Sequence, residues 1–253
     1  NNTAMGNLVL NANTTGSNNT AIGAGSMLNN LTGASNVAMG VGSLIANTSG
    51  GNNVAVGNGS LQSNSTASYN VAVGVEALKS NTTGSPNLAM GYRALYSNTV
   101  AGSNIAIGHL ALTTNTGESN IAVGSNALQA NTTGHNNVAV GQSALVSNTT
   151  GSSNLAFGYQ ALQANTTAGD NIAIGDRALN SNTTGISNVA IGTDAMRFSA
   201  TSTRNVSIGY RAATSNNHTD CISIGYEAGK DSVAVGNIAI GTSALANSTQ
   251  GDN

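Results

Sequence analysis

Charge is what this chain has least of: its 253 residues include seven Lys plus Arg and nine Asp plus Glu, 6% in all, against roughly 25% in an ordinary soluble domain. That argues against an ordinary globular enzyme. Aromatics are equally scarce at 3%, with no Trp and two Phe, so large side chains cannot supply an interlocked core. A single cysteine, Cys221, excludes an intrachain disulfide framework and reads as buried and inert, and no apolar run approaches the length of a membrane-spanning helix. The net charge of -2 leaves no basic stripe to neutralise phosphates, so nucleic acid and anionic membrane surfaces are poor partners. No targeting segment is visible at Asn1.

What the chain has is repetition. An Asn-apolar-Ala-apolar-Gly motif places glycine at Gly6, Gly23, Gly40, Gly57, Gly74, Gly91 and Gly108, a period of 17. One residue is then lost, and the series resumes at Gly124, Gly141, Gly158, Gly175, Gly192 and Gly209, reaching Gly225 one residue early. A full unit runs from Asn137-Val138-Ala139-Val140-Gly141 through an Ala-Leu pair to Asn148-Thr149-Thr150-Gly151. The first segment alternates with period two, as in Ile172, Ala173 and Ile174, which is strand logic. Glycine and the Asn-Thr-Thr-Gly punctuation leave no run long enough for a helix. A second short strand is expected at Ala178-Leu179, with Asn182-Thr183-Thr184-Gly185 turning the corner through a left-handed backbone.

One unit owns three substantial apolar side chains, such as Ile105, Ile107 and Leu112, and gains burial only by stacking on its neighbours. The expectation is an all-β fold, a parallel β-solenoid of 17-residue coils, each adding about 4.8 Å to a rod of the order of 70 Å. Asparagines in the columns of Asn53, Asn70, Asn137 and Asn171 and of Asn81 and Asn148 are expected to form side-chain ladders in place of salt bridges. The alanine column that includes Ala55, Ala72, Ala139 and Ala173 is either a row of half-exposed small residues or a flat face between subunits. The second reading favours a parallel homo-oligomer.

On these motifs the chain resembles the head repeats of trimeric autotransporter adhesins and, in its longer Ala-Leu and Asn-Thr-Thr-Gly segments, the repeat shafts of bacteriophage tail fibres; Asn171-Ile172-Ala173-Ile174-Gly175 matches the adhesin motif in type. The resemblance covers the whole chain. It implies a left-handed β-roll wound as a homotrimeric fibre, a rigid shaft or head for host attachment, on a virion tail fibre or a bacterial cell surface. The 17-residue period is longer than that of the adhesin heads and favours the phage-type relative. Nothing here resembles the self-cleaving C-terminal chaperone domain that such fibres often carry.

Chemical variety is confined to the positions after the central glycine, which include Tyr92, Arg93, Tyr159, Gln160, Arg177, Tyr210, Arg211 and Tyr226. These are candidate contacts to a glycan or protein receptor; the alternative is a tyrosine ladder that shields adjacent coils. His109, His135 and His218 have no second His or Cys at ligand spacing, so neither a metal nor another cofactor is expected. No nucleophile elbow, P-loop or zincin motif is present, and an enzyme is not expected. Residues 1–219 read as the regular solenoid, 220–236 as irregular, shortened coils carrying Asp220, Glu227, Lys230 and Asp231, and 237–253 as a resumed repeat that continues beyond this chain. The irregular stretch is either a structural kink or a receptor or cation site.

Two other function classes remain open. One is a self-assembling extracellular filament. The other is an ice-binding solenoid presenting Thr15, Thr32, Thr66, Thr83, Thr133, Thr150, Thr167 and Thr184, a column interrupted at Ser49, Val100 and Gly117.

Overall fold

A computed structural model describes residues 1–215, 219–232 and 235–247. The chain divides into two units, Asn1–Ser125 and Asn126–Asn253. The first holds parallel strands β1 (Thr3–Met5), β2 (Thr20–Ile22), β3 (Val37–Met39), β4 (Val54–Val56), β5 (Val71–Val73), β6 (Asn87–Met90), β7 (Asn104–Ile107) and β8 (Ile121–Val123). The second holds β9 (Val138–Val140), β10 (Leu155–Phe157), β11 (Ile172–Ile174), β12 (Val189–Ile191), β13 (Val206–Ile208), β14 (Ile222–Ile224) and β15 (Ile238–Ile240). Within each unit every strand pairs with the next in sequence, so that Val54 faces Val71 and Ala55 faces Ala72. The repeat period is therefore the pairing register, and each unit is a parallel β-solenoid.

Each coil contains one strand, not two. The Ala-Leu segment is a chain of turns that still bonds to its neighbours: Leu78 N–H donates to the Ala94 carbonyl at 2.9 Å and Glu76 N–H to the Asn58 carbonyl at 2.9 Å. Left-handed residues make these turns and fall at three places, for example Tyr69 (φ 62°), Glu76 (φ 56°) and Leu78 (φ 51°). For a non-glycine residue that conformation costs about 1–2 kcal/mol. Burying the leucine contributes about 1.5–3 kcal/mol. The two nearly cancel, so the turn depends on the hydrogen bonds above and below it.

The interior is narrow, and its narrowness sorts the strand residues. Ala55, Ala72, Ala139 and Ala173 are fully buried inside a single chain, as is the column that includes Leu61, Leu78, Leu145 and Leu179. They form no face between subunits. Their flanking partners, such as Val54 and Val56 or Ile172 and Ile174, point outward and are half-buried or exposed. Ile105 and Ile107 likewise lie outward of β7, while Leu112 is core. A single strand packed against a turn leaves room for a methyl group but not for a branched side chain, so the larger residues take the outer face.

Two asparagine columns line the rest of the interior. In the first, Asn53 N–H donates to Asn36 Oδ1 (2.9 Å) and Asn70 N–H to Asn53 Oδ1 (3.0 Å), and Asn171 repeats the bond to Asn154 (3.1 Å). In the second, Asn81 Nδ2 donates to Asn64 Oδ1 (3.0 Å) and Asn148 Nδ2 to Asn131 Oδ1 (2.8 Å). The columns meet at the corner: Asn70 and Asn81 both donate to the Gly84 carbonyl, and Asn137 and Asn148 both donate to that of Gly151. The corner residue is glycine in most coils and alanine at Ala67, Ala101 and Ala168, and the glycine's φ is not positive. At Gly134 or Gly151 a Cβ would overlap the asparagine Oδ1 of the same corner and the carbonyl of the next coil. The central glycines are different, since Gly141 adopts φ +133° and also lies against the Gly158 carbonyl.

Among the described residues, two buried amide oxygens of the second ladder have no partner, Asn98 Oδ1 and Asn182 Oδ1. Asn98 precedes a 16-residue coil whose corner is Asn115-Thr116-Gly117, so Asn115 Nδ2 reaches the Gly117 carbonyl two residues on instead of three. Asn182 precedes Ser199, a side chain too short to reach it; the Ser199 hydroxyl is unpartnered as well.

In the stretch 220–236, expected to hold shortened or looped-out coils, residues 233 and 234 lie outside the described residues, and the central glycines Gly209, Gly225 and Gly241 follow at steps of 16 instead of 17. β14 pairs with β13 and β15, Val206 facing Ile222 and Ile222 facing Ile238. The glycine column runs from Gly225 to Gly241 at a 16-residue step and bypasses Gly236. Residues 248–253, the end of the resumed repeat 237–253 that was expected to continue beyond this chain, lie outside the described residues.

Candidate functional site

Two surfaces carry what could engage another molecule. The first is the outward strand face, with Val, Ile, Leu and Met in parallel rows on each unit; Met5, Met39, Met90, Phe157, Ile172, Ile238 and Ile240 are its most exposed members. The second is the row after the central glycine, where Tyr92, Tyr159, Tyr210 and Tyr226 are exposed and Arg93, Gln160, Arg177 and Arg211 half-buried.

On this second row the structure brings most of the sequence candidates into two similar clusters. In the first unit, Tyr92 stacks on His109 with centroids 5.5 Å apart, and the Arg93 guanidinium lies 5.1 Å from both the Tyr92 and Tyr96 rings. Glu76 bonds to Lys79 and Arg93, each at 2.6 Å. Hydrogen bonds from Lys79 and then Arg93 hold the Glu76 carboxyl below its ordinary range, and Glu76 in turn raises both bases. In the second unit, Tyr210 stacks on Tyr226 at 5.4 Å, and Glu227 joins Arg211 (3.3 Å) to Lys230 (3.1 Å). Arg177 bonds instead to Asp194 (3.0 Å) and Asp176 (3.3 Å), and Arg197 completes that group. Tyr159 and Gln160 join neither cluster.

The sequence reading missed Glu76, Lys79, Tyr96, Asp194 and Arg197 as members of these groups. The signal was available, since residues one period apart are neighbours: Glu76 and Arg93, and Arg177 and Asp194, are each 17 apart. The rings stack along the column, so one face of each stacked tyrosine is already covered. Phenolic hydroxyls and the paired charges remain as its chemistry.

Among the described residues no group of three or more His, Cys, Asp or Glu could hold a metal ion, and no helix is long and apolar enough to cross a membrane. His135 Nδ1 lies 3.1 Å from Asn136 Nδ2, and His218 is outside the described residues. Cys221 is a buried thiol outside any disulfide, occupying an asparagine position of the first ladder. The threonine column is exposed, but the hydroxyls of the threonines beside it are engaged: Thr82, Thr149 and Thr183 donate to carbonyls one coil on. The chain is thus a repetitive structural solenoid whose ionisable groups are largely taken up in ion pairs. No family model matches the chain, and no curated protein is similar to it.

Proposed function

We propose that this chain is a length of fibre shaft in which three copies run parallel about a common axis, outward strand faces turned inward to one another, as a left-handed roll serving host attachment on a virion tail fibre or a bacterial cell surface. The observation that carries the reading is the apolar outer face of a solenoid whose interior is already filled. The first unit offers sixteen outward strand positions and the second fourteen, two for each strand. The resemblance to adhesin heads and phage shafts supports the number three and the handedness. The rows of Tyr92 and Arg93 and of Tyr210, Arg211 and Tyr226 lie off this face and remain open to a glycan or protein receptor through their hydroxyls and charges.

Light scattering on the native chain tests the association. A mass three times 24.9 kDa is expected. A single chain at all concentrations would remove the fibre reading and return the ice-binding alternative.

A further inference from the structure

An interface built from identical coils has a register problem. Sliding one copy past another by a single coil, about 4.8 Å, replaces most Val and Ile contacts by equivalent ones, so the Val and Ile rows that make up most of the outward face do not specify its alignment. Register has to come from a feature that does not repeat, and one stands at the margin of that face. The residue before the first-ladder asparagine is small or polar in most coils, as at Ser35, Asn52, Ser103, Asn136 and Ser153. In two successive coils it is Tyr69, 65% exposed, and Pro86. With Ser103 they wall a groove of about 360 Å³ whose floor is Val71, Leu88 and Ile105, the near edge of the outward strand rows.

We infer that this groove is a register lock between copies of the chain, and that its occupant is the Met90 side chain of a second copy. The inference rests on the parallel association proposed above. About any common axis, the near edge of one copy's face meets the far edge of the next copy's face at the same height. The far-edge residues at the height of the groove are Val73, Met90 and Ile107, of which Met90 is the most exposed at 40%. Its unbranched, flexible thioether suits an irregular apolar groove. The groove is uncharged and the whole chain carries only -2, so no repulsion opposes a second copy. A one-coil slip would take Met90 out of the groove and set the Tyr69 side chain against a flat row.

Interchain disulfides read the register. In a Cys221→Ser background, one chain carrying Val37→Cys is co-assembled with another carrying Met39→Cys, which report the aligned pairing, or Val56→Cys, which reports a slip of one coil. A shift of about 4.8 Å takes a bondable pair beyond the roughly 7 Å Cα limit for a disulfide. The unaltered groove should give the aligned product in at least tenfold excess. Tyr69→Ser, which restores the common residue type of the column, and Met90→Val should each bring the two products to comparable yield while the mass stays threefold. An unchanged product ratio in both variants overturns the lock but leaves the association standing. A 24.9 kDa mass without either product overturns both, so the two failures are distinguishable.

Discussion

Asn81→Ala should cost about 4–6 kcal/mol, although it removes an uncharged side chain. Asn81 is fully buried and takes part in three side-chain hydrogen bonds: its Nδ2 donates to Asn64 Oδ1 and to the Gly84 carbonyl, and its Oδ1 accepts from Asn98 Nδ2, each at 3.0 Å. The Gly84 carbonyl would keep Asn70, and Asn98 Nδ2 would keep the Ala101 carbonyl. Asn64 Oδ1 would lose its donor. Each net bond contributes about 1 kcal/mol, and a buried orphan adds about 1–3 kcal/mol. Urea unfolding followed by circular dichroism is the assay, with exposed Thr83→Ala as a control expected within about 0.5 kcal/mol of wild type. Asn81→Asp separates hydrogen bonding from volume. It keeps the shape but buries a carboxylate against Asn64 Oδ1, so its penalty should be larger at neutral pH and should shrink as acid protonates it. A loss at Asn81→Ala no larger than that of the control would refute the idea that the ladders hold the coils together.

Other substitutions test other parts of the account. Gly141→Ala should destabilise by at least about 3 kcal/mol in the same assay, because a Cβ there meets both a φ of +133° and the Gly158 carbonyl. Ser199→Asn should raise stability by about 1 kcal/mol by giving Asn182 Oδ1 the donor it lacks; a loss would mean that the break is not a simple vacancy in the ladder. The Glu76 and Asp220 carboxyls are held below their ordinary 4.5 and 3.8, chiefly by bonds from Lys79 and Arg204. Their contribution is therefore complete above those values and lost as pH falls through the lower folded ones. The urea midpoint should drop on acidification below about pH 5, less steeply in a Glu76→Gln, Asp220→Asn double variant.

Much of this architecture was legible because a repeat declares its own contacts. The 17-residue period gave the strand register, and the recurring asparagines gave the ladders, since stacking brings residue i to residue i+17. Which way each strand faces was not legible. Alternation puts Ala173 opposite Ile172 and Ile174 but does not say which side is inside, and the usual preference for burying the larger residue points the wrong way here. The deciding quantity is the distance from the strand to the turn that carries Leu179, which belongs to the folded coil and not to any local segment. The left-handed turns were obscured for a related reason. Leucine at φ near 50° contradicts local propensity and is held only by the coils above and below. The charged clusters could have been found by reading along columns: Glu76 pairs with Arg93 across one period, whereas inspection along the chain finds only Lys79.

The central claim is that the outer strand face, and not the buried alanine column, joins copies of the chain. The most direct test is the solution mass of a Val140→Asp, Ile174→Asp variant, since both side chains point outward from strands whose alanines are fully buried. The account predicts a threefold mass for the wild type and 24.9 kDa for the variant, with the β-type circular dichroism of the coils retained. A variant that keeps the threefold mass would contradict it.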